Sequence, residues 1–280
     1  MRNPTEEHVT TLSEFVDKVG LLFDRWDHIF GGVWFRGSNN LAHTLLPGLY
    51  WRRNGPSLED SLLGEFVASV DALVQRESTE PWALYTLMQH HRLPTRMLDW
   101  SKSPLVALFF ALDGTPEPIT PPAARKASAK YNPRVVWAID PYALNYHSIG
   151  DASVHCPMGP SSLSSGIDLD LWLPSALRNR ENHNKRLKSA PIAIDAPYSN
   201  KRLYAQQGCF TVHGSSKLSI TEWLGSLRTR KPIRLHRFLI EKPCWEDMRI
   251  QLFNLGIKED AIYQDLDTLS ARIKRERFSR

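Results

Sequence analysis

Residues 89–100 read Gln89-His90-His91-Arg92-Leu93-Pro94-Thr95-Arg96-Met97-Leu98-Asp99-Trp100, a stretch with two histidines, two arginines, a threonine and an aspartate. The chain then continues with the apolar run from Pro104 to Leu112. That run is apolar on all sides and long enough for a buried helix, and proline is tolerated in a first helical turn. Dense polar residues directly before a buried helix predict the wall of a functional site that the helix holds in place.

The rest of the chain predicts an α+β fold, with helices mainly early and strands mainly late. Apolar residues at helical spacing predict helices over residues 9–30, 58–76, 82–91, 245–255 and 258–277. Apolar and β-branched runs predict strands over residues 33–36, 135–139, 191–194, 208–213 and 235–240. Thr11 or Ser13 is the candidate N-cap of the first helix, and Gly31-Gly32 its predicted end. Residues 115–133 predict an exposed loop, and residues 147–190 irregular structure.

The composition is that of an ordinary globular protein. The chain has 280 residues, of which 42% are hydrophobic and 23% charged. No stretch approaches the roughly 18 apolar residues of a membrane span, and the first residues are polar rather than a signal sequence. Cys156, Cys209 and Cys244 are too few and too far apart for a disulfide framework. We therefore expect a cytoplasmic protein with no membrane partner.

The positive charge is concentrated in the second half of the chain. Residues 1–140 hold 14 Lys and Arg against 16 Asp and Glu, whereas residues 141–280 hold 21 against 14. Basic clusters occur at residues 178–180, 185–188, 201–202, 228–231 and 272–280. Such clusters are typical of a surface that meets nucleic acid, although a solvated surface with a basic tail explains them equally well.

Several familiar chemistries have no motif in this chain. It has no Gly-rich dinucleotide fingerprint, no phosphate-binding loop and no Gly-x-Ser-x-Gly elbow. His90 and His91 are adjacent, and neighbouring side chains on a helix point about 100° apart, so the pair does not predict a metal site. Cys209 and His213 share one face of a predicted strand. A cysteine nucleophile is one reading of that pair, and a buried structural cysteine is the commoner one.

Three motifs together resemble the FRG domain, a family named for a Phe-Arg-Gly tripeptide. They are residues 34–38 with Phe35-Arg36-Gly37, residues 46–49, and residues 89–101. Further similarity follows at residues 107–111, 202, 206–211, 256–257 and 263–267. The resemblance departs from the usual pattern at Arg92, where glycine is common, and at residues 263–264, where Phe-Pro is common. It divides the chain into an N-terminal helical segment, residues 1–30, and a single FRG domain, residues 31–280.

The order of elements also resembles that of the ADP-ribosyltransferases, more loosely. In that family a first strand ends in Arg-Gly, a second motif is a Ser/Thr-rich strand before a helix, and a third strand bears the catalytic Glu. Residues 36–38, 99–103 and 207–210 occupy these three places. The resemblance implies an ADP-ribosyltransferase-like split β-sheet core with N-terminal and C-terminal helices. It also implies NAD as the co-substrate, with no metal.

The resemblance implies roles for twelve residues. Arg36 would pair with phosphate oxygens, Ser101 would hold the nicotinamide ribose, and Trp100 or Trp34 would stack on nicotinamide. Gln207 stands where the family has its glutamate and can neither supply negative charge nor act as a base. Asp99 is therefore the candidate carboxylate, and His90 or His91 could take the proton instead. The catalytic candidates are Arg36, His90, His91, Asp99 and Gln207. The substrate-binding candidates are Gly37, Ser38, Thr95, Arg96, Trp100 and Ser101.

These residues also have structural interpretations. Arg36 could form a buried ion pair with Asp99, and Arg96 could form a local salt bridge with Asp99 at helical spacing. Trp100, Phe109 and Phe110 are typical core residues. Residues 263–267 are expected to cap and pack the last helix.

The leading functional hypothesis is an ADP-ribosyltransferase that uses NAD to modify a macromolecule, either nucleic acid or protein. It would act as a bacterial toxin or anti-phage defence effector, with an antitoxin protein as a possible partner. Hydrolysis of NAD by water is a variant of the same chemistry. The alternatives are a non-catalytic module that binds nucleic acid or a nucleotide, and a partner-binding scaffold.

Overall fold

A computed structural model describes residues 4–28, 32–52, 54–73, 79–113, 133–157, 166–196 and 201–278. Its centre is one mixed sheet in the strand order β1-β7-β4-β2-β3-β6-β5. Strands β1 and β7 are parallel, and all other neighbours are antiparallel. The strands are β1 Thr5–Val9, β2 Trp34–Ser38, β3 Met97–Ser101, β4 Arg134–Ile139, β5 Ile192–Asp195, β6 Gly208–Val212 and β7 Leu235–Ile240.

Eleven α-helices accompany the sheet in the described parts of the chain, and with it they confirm the α+β class. They are α1 Leu12–Trp26, α2 Gly48–Trp51, α3 Gly55–Val70, α4 Pro81–His90, α5 Pro104–Leu112, α6 Pro141–Ile149, α7 Lys201–Ala205, α8 Ile220–Ser226, α9 Trp245–Asn254, α10 Glu259–Tyr263 and α11 Leu266–Phe278. None of the described helices has the length and apolarity that a membrane crossing requires.

Helices cover both faces of the sheet. Successive side chains along a strand point to opposite faces, so both faces present apolar residues that the helices bury. Along β4, Val136 and Ala138 join a core cluster with α1, α5 and α9. Val135, Trp137 and Ile139 face the other way and pack with α6 and α8. A third cluster joins α3 and α4 to β3, β5 and β6.

The first helix is shorter than predicted, because Val9, the first residue of the predicted range, is the last residue of strand β1. Residues 5–9 pair with β7, and the helix begins only after Thr11, whose side chain accepts a hydrogen bond from Glu14 N at 3.1 Å. Thr11 is thus confirmed as the N-cap. The helix ends at Trp26, where Asp27 adopts a left-handed conformation, rather than at Gly31-Gly32. The segment predicted as an N-terminal helical extension therefore contributes both an edge strand of the sheet and a core helix.

The buried helix over Pro104 to Leu112 is confirmed at both ends, with Ser103 as its N-cap. The prediction for residues 147–190 is only partly right. Residues 141–149 form α6, and two 3-10 turns follow at Leu169–Trp172 and Ser175–Leu177. The predictions did not include α8, and most of the predicted loop over residues 115–133 lies outside the described residues.

The sheet is weakly joined in its middle. Strands β2 and β3 pair only at Phe35 and Ser101, whereas β2 pairs with β4 over five residues, and β3 with β6 over five. Beyond that single pair the two strands diverge. The sheet is therefore split at the point where the two sequence motifs, residues 35–37 and 97–101, lie side by side.

Candidate active site

A cavity of about 360 Å³ opens at the split between β2 and β3. Residues of β2, β3, α2, α4 and α5 line it, and so do Arg202 and Leu203 of α7 and Tyr263 of α10. Its size lies within the range of small-molecule binding pockets. Four arginines and two aspartates line it, so its charged side chains carry a net positive charge; they are Arg36, Arg52, Arg92, Arg202, Asp99 and Asp113.

The Asp99 carboxylate is held in the cavity by a short chain of hydrogen bonds. Gln89 Nε2 donates to Asp99 Oδ2 at 2.8 Å, and Thr95 Oγ1 donates to Gln89 Oε1 at 2.5 Å. The backbone N–H of Met97 donates to Thr95 Oγ1 at 3.1 Å. The Asp99 side chain stays 60% exposed. It is therefore an oriented carboxylate that solvent or a ligand can reach.

Arg36 spans the split from the opposite strand. Its Nη1 donates to the backbone carbonyl of Asp99 at 2.6 Å and lies 3.9 Å from the Asp99 carboxylate. The expectation of a buried ion pair between the two is wrong, because the aspartate is mostly exposed. The contact instead places a guanidinium and a carboxylate together at the cavity wall.

The two histidines take different positions. His90 lines the cavity, and burial together with the positive charge of Arg202 and the neighbouring His91 lowers its pKa to about 4. His90 is therefore neutral at physiological pH. His91 is exposed, packs edge-on against the His90 ring and lies near Phe66 instead.

Trp100 and Ser101 combine a cavity contact with a structural bond. Trp100 is buried, and its Nε1 donates to Thr211 Oγ1 at 2.9 Å, which ties β3 to β6. Ser101 Oγ donates to the carbonyl of Gln206 at 2.7 Å and fastens β3 to the residues after α7. Both line the cavity.

Arg96 lies away from the cavity, in the protein interior. Its Nε donates to both carboxylate oxygens of Glu59 at 3.0 and 2.7 Å, and its Nη1 donates to the carbonyl of His213. The expected local salt bridge with Asp99 is wrong. At the start of β3, side chains alternate between faces, so residues 96 and 99 point in opposite directions.

Of the three remaining candidates, Gly37 lines the cavity, whereas Ser38 and Gln207 lie outside its lining. The main constraint on Gly37 is packing: an added Cβ would lie 1.9 Å from the carbonyl oxygen of Ala107 in α5. The Ser38 hydroxyl is buried and donates to the Asn40 carbonyl at 3.1 Å. The Gln207 side chain is exposed and does not line the cavity, and its backbone carbonyl accepts from Lys102 N.

Cys209 does not have the properties of a nucleophile. It is fully buried on β6, and burial raises the pKa of its thiol well above the usual value. His213 is buried beyond the end of the same strand. Within the described residues, no three His, Cys, Asp or Glu side chains converge as metal ligands would.

The structure adds residues that the sequence did not single out for the site: Gln89, Arg92, Arg202, Gln206 and Tyr263. Each belongs to a block that carries the family resemblance, so the signal was present in the sequence. The blocks are far apart along the chain, and only folding brings them to one cavity. Arg202, for example, lies over the ring of Tyr263, 5.0 Å from its centre.

Comparison with known proteins supports the first part of this resemblance. Residues 31–118 match the FRG domain. The FRG match contains β2, α4, β3 and α5, and thus the Phe-Arg-Gly tripeptide and the whole segment from Gln89 to Ser101. The extension of the FRG domain to residue 280 stays a prediction. No curated protein and no solved structure matches the chain.

Proposed function

We propose that this FRG-domain protein is an NAD-dependent ADP-ribosyltransferase with its active site in the cavity at the split sheet. The observation that carries the proposal is the position of Asp99. Its exposed carboxylate is oriented by Gln89 and lies 3.9 Å from the Arg36 guanidinium, in a cavity whose charged lining also holds four arginines and one further aspartate, Asp113. A carboxylate among basic groups suits a substrate that carries a pyrophosphate and develops positive charge on one ribose.

The chemistry assigns a separate task to each group. The bond between the ribose C1′ and the nicotinamide nitrogen breaks, and its electron pair leaves with neutral nicotinamide. The ribose becomes oxocarbenium-like, and the Asp99 carboxylate stabilises this cation. An acceptor oxygen or nitrogen then bonds to C1′ and releases a proton. His90 is neutral above about pH 4 and can accept this proton.

The acceptor would be a macromolecule, nucleic acid or protein. The surplus of basic residues in the second half of the chain favours nucleic acid, because exposed lysines and arginines attract phosphates. With water as the acceptor, the same site would hydrolyse NAD. Modification of an essential nucleic acid or protein would make the chain a toxin or a defence effector, held in check by an antitoxin protein.

The test is nicotinamide release from NAD by the purified protein, with and without nucleic acid or a cell extract. We expect the wild-type protein to release nicotinamide and Asp99→Asn to be slower by at least about a hundredfold, as with other lost electrostatic groups. Asp17→Asn is the matched control, because Asp17 is an exposed aspartate on α1. Label attached to a macromolecule indicates transfer, and free ADP-ribose indicates hydrolysis. Equal rates for wild type and Asp99→Asn would refute the role of Asp99.

A second candidate function is binding without turnover. The position of Gln207 favours it, since this residue stands where the transferase resemblance has its glutamate, is exposed, and lies outside the cavity lining. A binding module would take up a nucleotide or nucleic acid with a steep salt dependence and would release no nicotinamide under any condition.

A further inference from the structure

Two cavity arginines have neither an acidic partner nor a side-chain hydrogen bond among the described residues. Within the described residues, the side chains of Arg92 and Arg202 form no ion pair with any carboxylate, although both line the same cavity. Arg36 and Arg52, by contrast, each donate to a backbone carbonyl. Among the described lining residues, Arg92 and Arg202 are therefore the two arginines whose guanidinium groups donate no hydrogen bond within the described part of the protein and can donate to a bound anion.

Arg92 occupies a backbone position that favours glycine. It has φ +62° directly after the C-cap of α4. Its N–H bonds to the Gln89 carbonyl, and the N–H of Leu93 bonds to the Met88 carbonyl. This is the Schellman pattern, in which the left-handed residue is usually glycine. An arginine there costs roughly 1 kcal/mol in backbone energy compared with glycine. Unlike glycine, it adds a long cationic side chain to the cavity lining.

Arg202 is held by an aromatic ring rather than by an acid. Its guanidinium carbon lies 5.0 Å from the ring centre of Tyr263, and the Tyr263 hydroxyl donates to Asp113 Oδ2 at 2.5 Å. The Asp113 carboxylate also interacts electrostatically with Arg134 and Arg249, so its negative charge is balanced by two other arginines. The ring thus fixes the guanidinium in place without neutralising it.

The other ionisable groups nearby leave this positive charge in place. Asp265 is within the electrostatic range of Arg202, but its carboxylate accepts the N–H of Thr268 at 2.7 Å at the start of α11. His90 is neutral, since burial and then the charge of Arg202 lower its pKa to about 4. A neutral imidazole within the electrostatic range of the Arg202 guanidinium can donate or accept one more hydrogen bond to a ligand.

We propose that Arg92 and Arg202 form a subsite for the pyrophosphate of a dinucleotide, at the Tyr263 end of the cavity. This inference rests on the proposed function and adds to it the groups that hold the substrate. Two planar guanidinium groups match the two charges of a pyrophosphate and can bond its oxygens in pairs. Arg36 is then free to act beside Asp99 at the reacting ribose.

The experiment measures binding of ADP-ribose, which has the pyrophosphate but no bond to break, by titration calorimetry. The variants are Arg92→Gly and Arg202→Gln, with Arg230→Gln as the control because Arg230 is exposed outside the cavity lining. We expect each cavity variant to weaken ADP-ribose binding roughly tenfold or more, as for a lost charged hydrogen bond. Binding of adenosine, which has no phosphate, should change less than twofold.

The Arg92→Gly variant separates binding from folding. Glycine adopts positive φ freely, so the variant should unfold at the same temperature as the wild type or a higher one. Weaker ADP-ribose binding by a protein that is at least as stable supports a ligand role. Unchanged ADP-ribose affinity in both variants overturns the proposal. It is also overturned if a short oligonucleotide binds more tightly than ADP-ribose, displaces it, and needs both arginines to do so.

The two proposals fail in distinguishable ways. If ADP-ribose binding depends on the arginines but no nicotinamide is released from NAD, the subsite stands and the transferase proposal fails. If nicotinamide is released with the same KM for NAD in Arg92→Gly, Arg202→Gln and wild type, the transferase proposal stands and the subsite is overturned.

Discussion

Arg96 carries its charge into the protein interior, where Glu59 and Tyr85 surround it. Arg96 is 1% exposed, its guanidinium bonds both Glu59 oxygens, and the Tyr85 hydroxyl donates to the same carboxylate at 2.5 Å. Tyr85 also accepts the backbone N–H of Arg96 at 2.8 Å. These bonds join α3, α4 and the start of β3 behind the cavity wall that contains Asp99. Arg96 therefore supports the wall from the protein interior.

Removing one partner of this buried pair should be costly. Arg96→Met leaves the Glu59 carboxylate buried without its cation, and we expect a loss of about 3–5 kcal/mol in the free energy of unfolding. Urea denaturation of the variant and the wild type measures this loss. The double variant Glu59→Gln with Arg96→Met should recover part of the loss, because no uncompensated charge remains. A loss below about 1 kcal/mol in Arg96→Met would contradict the role assigned to this pair.

Gln207 offers a second test at the level of a single residue. Its side chain is exposed and outside the cavity lining, and its backbone has φ +46°. A glutamate there would place its charge in solvent, where water screens it from the cavity. We expect Gln207→Glu to change nicotinamide release by less than about twofold. A large increase would show that residue 207 reaches the reacting ribose, and that the cavity alone does not define the active site.

The contact between β2 and α5 positions the tripeptide that gives the FRG family its name. Gly37 lies so close to α5 that a Cβ would be 1.9 Å from Ala107 O and 2.5 Å from Ala111 N. These atoms belong to the helix backbone and cannot move aside without moving the helix. Arg36 precedes this contact, and its direction into the cavity depends on the glycine that follows it.

Substitution of Gly37 should therefore disturb the packing of β2 against α5. We expect Gly37→Ala to lower the free energy of unfolding by about 3 kcal/mol or more, since overpacking against a backbone has no cheap relief. Gly64→Ala is the matched control, because a Cβ there meets nothing within 4 Å. Gly64 is in α3, where alanine should stabilise the protein by about 0.5–1 kcal/mol. Thermal unfolding of the two variants should shift in opposite directions.

Across the whole molecule, buried neutral histidines link stability to pH. Burial, and then the charge of Arg96, lower the pKa of His213 to about 3, and neither of its ring nitrogens has a hydrogen-bond partner among the described residues. His236 in β7 is also buried, and burial lowers its pKa to about 4. Its Nδ1 bonds Thr5 in β1 at 2.7 Å, so the edge strand depends on it.

The sign of the pH effect follows from these lowered values. An unfolded histidine binds its proton near pH 6.5, whereas folded His213 does so only near pH 3. The unfolded state therefore takes up protons first, and stability that is complete above pH 6.5 is lost as the pH falls. Between pH 7 and 4.5 we expect His213 to account for a loss of about 2–3 kcal/mol. His213→Phe should lose correspondingly less over this range in urea titrations, and an equal loss in both proteins would contradict this account.

Local signals in the chain were enough for most of the elements. The apolar run from Pro104 to Leu112 has a serine cap before it, and its bounds follow from propensity and capping alone. Strands β4 and β7 were predictable for a similar reason, since β4 is a contiguous apolar run after Arg134 and β7 ends in Phe-Leu-Ile. Strand β1 was not, because its sequence Thr-Glu-Glu-His-Val is polar, and only pairing with β7 and the bonds of its side chains hold it there.

The sequence alone thus determined the α+β class and the buried helix α5, and it predicted a wall over the segment from Gln89 to Trp100, most of which lines the cavity. It could not assign the polar residues within that wall, because adjacent positions on a strand face opposite ways. Only the tertiary structure decided that Arg96 turns inward to Glu59 while Asp99 faces the cavity, and that Arg202 joins Arg92 from more than a hundred residues away. Charged groups meet across the split because β2 and β3 separate, and that separation depends on contacts remote in sequence.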